Sequence, residues 1–209
     1  MDARGEGDRM SLKNETKAER TSEREVVVTR IFNAPARLVF EAWTTPALLQ
    51  RWWIPKSIDM SFVSCEADVR TGGSYRFVFR LAGSEPVAFF GRYLEVIPPA
   101  RLVWTNEEGG DEGAVTTLTF EEKGGKTVLV MRERYPSKEA LDRAIEAMGL
   151  TGMDEPFAQL EELLVMRDLY PSKEALDAAI AAMGLTGMEE PFSQLDELLV
   201  TLGASAGRA

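Results

Sequence analysis

The stretch Thr127-Val128-Leu129-Val130-Met131-Arg132-Glu133-Arg134-Tyr135-Pro136-Ser137-Lys138-Glu139-Ala140-Leu141-Asp142-Arg143-Ala144-Ile145-Glu146-Ala147-Met148 contains a change of period. As far as Tyr135 it reads as a β-strand. Beyond Pro136 the apolar residues Ala140, Leu141, Ala144, Ile145 and Met148 fall on one helical stripe. Gly149 and Gly152 break that stripe, and Met153, Phe157, Leu160 and Leu164 begin a second.

Upstream, the chain is rich in strands. Glu25–Phe32 is the first. Asn33-Ala34-Pro35 then reads as a helix start, with Ala36, Val39, Phe40 and Trp43 on one apolar stripe. Thr45-Pro46 opens a second short helix that turns Leu48, Leu49 and Trp52 to the core and stops at Pro55. Six further strands are expected at 61–70, 74–81, 87–96, 101–106, 115–122 and 127–135. They are separated by the turn signals Gly72-Gly73, Gly83-Ser84, Pro98-Pro99, Gly109-Gly110 and Gly124-Gly125. Tyr75, Phe77 and Phe79 alternate, as do Leu118 and Phe120, so one face of an antiparallel meander is buried. The order predicts an α+β fold: a curved antiparallel sheet of about six to seven strands, two short helices after the first strand, and a long C-terminal helix laid across the concave face.

Composition closes off several chemistries. The chain has 209 residues, 24 basic and 34 acidic, a net charge of -10, no histidine and one cysteine, Cys65. A general nucleic-acid binder needs a basic footprint, so no nucleic-acid partner is expected. Without histidine there is no Ser-His-Asp triad, and with one cysteine there is no disulfide and no Cys/His zinc site. No metal or other cofactor is expected. Cys65 reads as a small core residue rather than a reactive thiol. Gly72-Gly73 is a turn without P-loop spacing. No apolar run reaches the roughly 18 residues of a membrane span. Residues 1–23 are polar and read as a disordered tail rather than a signal peptide, which makes a cytoplasmic location the expectation.

Residues 131–165 recur as 166–200. The two 35-residue copies differ only at Glu133/Asp168, Arg134/Leu169, Arg143/Ala178, Glu146/Ala181, Asp154/Glu189, Ala158/Ser193 and Glu161/Asp196. The domain reading is therefore a tail at 1–23, one domain at 24–165, a duplicated helical segment at 166–200 and a flexible tail at 201–209. Two repeats do not build a solenoid. Only one helical pair fits the groove, so the other is expected on the first copy or on a partner chain, as in a homodimer. Leu129-Val130-Met131-Arg132 and Leu164-Val165-Met166-Arg167 share their letters. The first is expected as strand and the second as helix, because the second follows helical Glu161-Glu162-Leu163 with no breaker before Pro171.

Several runs then carry a resemblance. They are Arg30-Ile31-Phe32-Asn33-Ala34-Pro35, Leu38-Val39-Phe40-Glu41-Ala42-Trp43-Thr44, Leu48-Leu49-Gln50-Arg51-Trp52-Trp53-Ile54-Pro55, Asp68-Val69-Arg70-Thr71-Gly72-Gly73-Ser74-Tyr75-Arg76-Phe77 and Gly91-Arg92-Tyr93-Leu94-Glu95-Val96-Ile97-Pro98-Pro99. With Tyr135-Pro136-Ser137-Lys138-Glu139-Ala140, Gly152-Met153 and Leu160-Glu161-Glu162-Leu163-Leu164, they resemble the bacterial branch of the family named for the activator of heat-shock protein 90 ATPase. That family lies within the START-like superfamily of polyketide cyclases and Bet v allergens. The resemblance covers about residues 24–165 and implies a helix-grip fold with a cavity between sheet and C-terminal helix. It implies no single activity: members bind lipids, sterols, hormones or polyketides, a few are enzymes, and the eukaryotic namesake stimulates a chaperone ATPase.

Concave apolar sites of this kind bind small molecules. The expected lining is Trp43, Trp53, Phe77, Phe79, Phe89, Tyr93, Trp104, Leu118, Met131, Met148, Met153 and Phe157, each of which can equally be core packing. Of the adjacent Trp52 and Trp53, one belongs in the core and the other at the cavity mouth. Arg76, Arg80 and Arg92 read as solvent-facing, with an anionic headgroup contact as the functional alternative. Glu66 and Asp68 read as a solvated strand face, with an acid pair as the alternative. The leading expectation is noncatalytic binding of a small hydrophobic or amphipathic molecule. The rivals are a co-chaperone or stress-response module with a protein partner, and a cyclase- or hydrolase-like enzyme using a cavity carboxylate or Tyr93. Lack of histidine weakens the enzyme.

Overall fold

The structure is a computed structural model that describes residues 16–108, 113–150 and 152–169, with the side chains of Met148 and residues 166–169 outside that description. The strands are β1 (Lys17–Arg20), β2 (Glu25–Phe32), β3 (Met60–Ala67), β4 (Ser74–Leu81), β5 (Val87–Ile97), β6 (Arg101–Asn106), β7 (Ala114–Lys123) and β8 (Lys126–Arg134). The helices are α1 (Ala36–Thr44), α2 (Pro46–Trp52), α3 (Lys138–Met148) and α4 (Asp154–Leu169). All eight strands form one antiparallel sheet in the order β1-β2-β8-β7-β6-β5-β4-β3. Bulges at Phe62/Ser64 and Tyr93/Glu95 break its regular register, and such bulges bend a sheet and increase its twist.

This is the predicted α+β helix-grip arrangement, with two corrections. The sheet has eight strands rather than six or seven. The added strand, β1, lies inside the stretch assigned to the N-terminal tail. Lys17–Arg20 pairs with Val26–Thr29 of β2, and the Arg20 guanidinium bonds the carbonyls of Ser22 and Glu23 and reaches Asp142 at 2.6 Å. A polar edge strand held by ladder bonds carries no apolar alternation, so it leaves no period-2 signal. The rest of that tail, the second copy beyond Leu169 and the C-terminal tail lie outside the described residues.

The local signals explain the helices. Pro35 precedes α1, whose first backbone N–H donates to Glu122 on β7 at 2.9 Å; a carboxylate there complements the helix N-terminus. Ser137 caps α3 by accepting from the Ala140 N–H. α4 runs through Leu164–Arg167, so the tetrapeptide that is strand in β8 is helix in α4, as expected.

Helices α1, α2 and α4 cover one face. Phe40 packs edge-on against Phe120, Phe157 against Phe32 and Trp43, and Trp53 against Phe77. Phe157, Leu160 and Leu164 of α4 are sealed from solvent, each contributing about 2 kcal/mol by burial. Polar groups fix the register of α4. Buried Gln159 donates to the carbonyls of Trp52 and Ile54 at 2.7 and 2.8 Å and accepts from the Lys56 N–H at 2.9 Å. Glu155 accepts from the Ser57 N–H, and Glu161 accepts from the Asn33 backbone and side chain. Arg30, buried on β2, lies 3.9 Å from Glu161. Burial lowers the pKa of that guanidinium, and Glu161 and Asp154 offset part of the effect.

Candidate ligand site on the inner face

Cross-strand register sorts the helix-covered face into transverse rows. One row is apolar throughout: Val28, Met131, Leu118, Leu102 and Val96. The next begins with Val26 and continues Glu133, Thr116, Trp104 and Tyr93. Directly opposed residues share a face, so Glu133 points to the same side as Met131 and Leu129.

A hydrogen-bonded chain runs along this second row. Tyr135 donates to Glu133 Oε2 at 3.2 Å, and Thr116 donates to Glu133 Oε1 at 3.3 Å. Asn106 Nδ2 donates to Thr116 Oγ1 at 2.9 Å. Asn106 Oδ1 accepts from Trp104 Nε1 at 3.2 Å and lies 2.9 Å from the Tyr75 hydroxyl, which is also 3.0 Å from the Thr105 carbonyl. Gly91 makes this reach possible. A Cβ there would sit 1.9 Å from the Thr105 carbonyl oxygen and 3.0 Å from the Tyr75 ring.

Burial pushes the Glu133 carboxyl above its ordinary range, and nearby Glu108 adds to the rise. The hydrogen bonds from Tyr135 and Thr116 partly oppose it. Burial likewise raises the phenols of Tyr75, Tyr93 and Tyr135. Glu133 is half-buried, as are inward-facing Trp104, Asn106 and Tyr135, whereas Val26, Thr116 and Tyr93 of the same row are buried. Val28, Met131, Leu118 and Leu102 of the apolar row are buried, and Val96 at its end is half-buried. The face thus grades from an apolar floor to a polar, wettable end.

The expected lining residues fall into distinct places. Trp43, Phe77, Phe79, Tyr93, Leu118, Met131 and Phe157 are buried on this face or on the helices against it, and Trp53, Trp104 and Met153 are half-buried beside them. Phe89 also faces inward, opposite Phe77, but is 42% exposed and forms a lip against Phe79. The side chain of Met148 lies outside the described residues. Trp52 is the core member of its pair, its indole donating to the Ala42 carbonyl, while Trp53 is the half-buried one. Trp43 is buried, and its indole N–H has no partner among the described residues.

The alternatives resolve toward solvent. Arg76, Arg80 and Arg92 are exposed, and Arg76 lies over the Phe90 ring. Glu66 and Asp68 are exposed beside an open notch of about 320 Å³, and Asp68 pairs with Arg70 at 2.8 Å. Cys65 is half-buried, and loss of solvent pushes its thiol up to about 11. No group of three or more Cys, Asp or Glu side chains among the described residues is placed to hold a metal. No helix there is long and apolar enough to cross a membrane.

Sequence reasoning missed Glu133, Thr116, Asn106, Tyr75 and Tyr135 as a connected set. A signal existed: continuing the alternation of Leu129 and Met131 by one step puts Glu133 on the apolar face, and stepping back from Leu118 does the same for Thr116.

The chain is similar to solved structures from several bacteria. A crystal structure from Rhodobacter sphaeroides is 25% identical, with a TM-score of 0.66, over 73% of this chain and 99% of that one. A solution structure from Staphylococcus epidermidis is 28% identical, with a TM-score of 0.61, over 72% and 94%. An AHSA1-like protein from Aeromonas hydrophila, 19% identical with a TM-score of 0.52 over 66% and 93%, shares the fold. No curated protein matches. The family model described as Activator of Hsp90 ATPase homolog 1-like protein matches residues 33–165. The span takes in α1, α2, α3, most of α4 and the strands that carry the inner-face chain, and on that match the chain belongs to the Activator of Hsp90 ATPase homolog 1-like protein family.

Proposed function

We propose that this protein binds, without transforming it, a small apolar or amphipathic molecule between the inner face of the sheet and α4. The observation that carries this reading is the incomplete burial of inward-facing Trp104, Asn106, Glu133 and Tyr135 beside buried Val28, Met131, Leu118 and Leu102. The unpartnered Trp43 indole N–H supports it, since a buried donor costs free energy until something accepts from it. Native mass spectrometry of protein purified from its own cells tests the reading. A retained small molecule of discrete mass, released on denaturation, is expected. Ligand-free protein that also fails to take up an uncharged hydrophobic fluorophore overturns it.

One observation favours a second reading, a cyclase- or hydrolase-like enzyme: Glu133 is an inward carboxyl with an elevated pKa, the kind of group that serves general acid–base chemistry. The two readings separate on incubation. A binder returns its retained molecule chemically unchanged, and an enzyme does not.

The repeat bears on partners. Met131, Leu141, Pro156, Phe157, Gln159, Leu160, Leu163 and Leu164 are the buried positions among the described residues of the first copy, and each is identical in the second. The same groove therefore suits residues 166–200 of another chain, which supports a homodimer. Light scattering at high concentration, with a chain ending at Val165 as reference, checks it; a one-chain mass at every concentration removes it.

A further inference from the structure

We infer that the polar end of the bound molecule carries a hydrogen-bond donor without negative charge, an alcohol or an amine, and that Glu133 receives it. The inference rests on the binding reading above and adds the chemistry of the ligand.

Charge on the inner face carries the argument. Half-buried Glu133 stands on the inner face, with Glu108 close enough to act on it electrostatically. Two hydroxyls, from Thr116 and Tyr135, donate to Glu133, and no cation among the described residues forms an ion pair with it. The basic residues nearest in sequence turn away: Arg132 and Arg134 alternate to the outer face and are exposed, and Arg132 lies 3.6 Å from Glu25. Arg76 and Arg92 are exposed on the opposite face of their strands. Arg30 does face inward, but beside Leu129, two rows from Glu133, where Glu161 and Thr16 engage it.

A carboxylate or phosphate brought to this row would add negative charge beside Glu133 and Glu108 with no cation among the described residues shown to offset it, and like charges at close range disfavour each other. An amine brings a positive charge beside Glu133 and so favours the ionised carboxylate that burial alone disfavours. An alcohol donates to the carboxyl oxygens in either protonation state. The apolar row of Met131, Leu118 and Leu102 receives the body of such a molecule, and the orientation follows: apolar part over Met131, donor at Glu133.

The test is a displacement titration at neutral pH. N-phenyl-1-naphthylamine is the reporter, and decylamine, decanol and decanoate are competitors of one chain length. Decylamine and decanol are expected to displace the reporter at about tenfold lower concentration than decanoate, the scale of one uncompensated charge contact. Glu133→Gln, verified as folded by circular dichroism, is expected to bring decylamine and decanoate within about threefold of each other, each measured against the variant's own reporter affinity. Decanoate competing as well as decylamine overturns the inference while leaving the binding reading intact. So does a preference that survives Glu133→Gln. A reporter that does not bind, with no competitor detected by native mass spectrometry, overturns the binding reading and this inference with it.

Discussion

Glu133 of β8 stands directly across from Thr116 of β7, and the Thr116 hydroxyl bonds its Oε1 at 3.3 Å. The pair places a carboxyl on the face that the helices cover. Burial raises its pKa above the ordinary 4.5, so the folded state holds this proton more tightly than the unfolded state. Stability from this group is present at low pH and is lost as pH rises from about 4.5 through the folded value. Glu133→Gln removes that titration. The variant is expected to gain stability relative to the natural protein as pH rises, read as the difference in urea midpoint across the acid-to-neutral range. A difference that stays constant with pH would show Glu133 to be ordinary.

The strands were legible because inward positions are apolar at alternate residues and glycines mark the turns; the expected limits of β2, β4 and β6 agree with those observed. β1 was not legible, since Lys17-Ala18-Glu19-Arg20 has one apolar residue and no alternation, and is held by ladder pairing and the Arg20 contacts. The apolar lining was read from Phe77, Leu118 and Met131 for the same reason as the strands. The polar end was not, because a lone Glu or Thr in a strand reads as solvent-facing by default. Only its cross-strand partners, set by register across distant segments, show that Glu133, Thr116 and Asn106 are linked.

Gly91→Ala tests the close approach that lets Tyr75 reach Thr105 and Asn106. The added Cβ would meet a backbone carbonyl at 1.9 Å, which a side-chain rotation cannot relieve. A loss of about 1–3 kcal/mol is expected from such overpacking, with a changed near-UV signal from Tyr75 and Trp104. An unaltered melting curve and spectrum would mean that β5 yields without cost.

Cys65 should be slow to react. Its thiol is pushed from 9.0 up to about 11, because burial disfavours the thiolate, and its Sγ lies 3.9 Å from the Pro46 carbonyl. The thiolate fraction at neutral pH is then about a hundredfold below that of an unperturbed thiol. Titration with Ellman's reagent is expected to be slow in the native protein and fast, with one equivalent, in denaturant. Equal rates in both states would refute the burial argument.

Gln159 carries the strongest expectation about α4. Its amide satisfies two carbonyls and one N–H just past the end of α2, and it is itself buried. Leucine at that position keeps the volume and adds apolar surface, but leaves the Trp52 and Ile54 carbonyls and the Lys56 N–H without their partner. Leaving a buried polar group unpaired costs about 1–3 kcal/mol, and the three here are only partly reachable by water, so Gln159→Leu is expected to lose about 3 kcal/mol. The loss should appear first as faster amide exchange in α4 and at residues 53–57, with β7 and β8 still protected, because the amide joins the helix to α2 and not to the sheet. Gln159→Glu separates geometry from charge: it can still accept from Lys56 but cannot donate to the carbonyls when ionised, so its deficit should shrink as pH falls and the carboxyl regains a proton. A Gln159→Leu protein as stable as the natural one, with α4 exchange unchanged, would show that apolar packing of Phe157, Leu160 and Leu164 alone seats the helix.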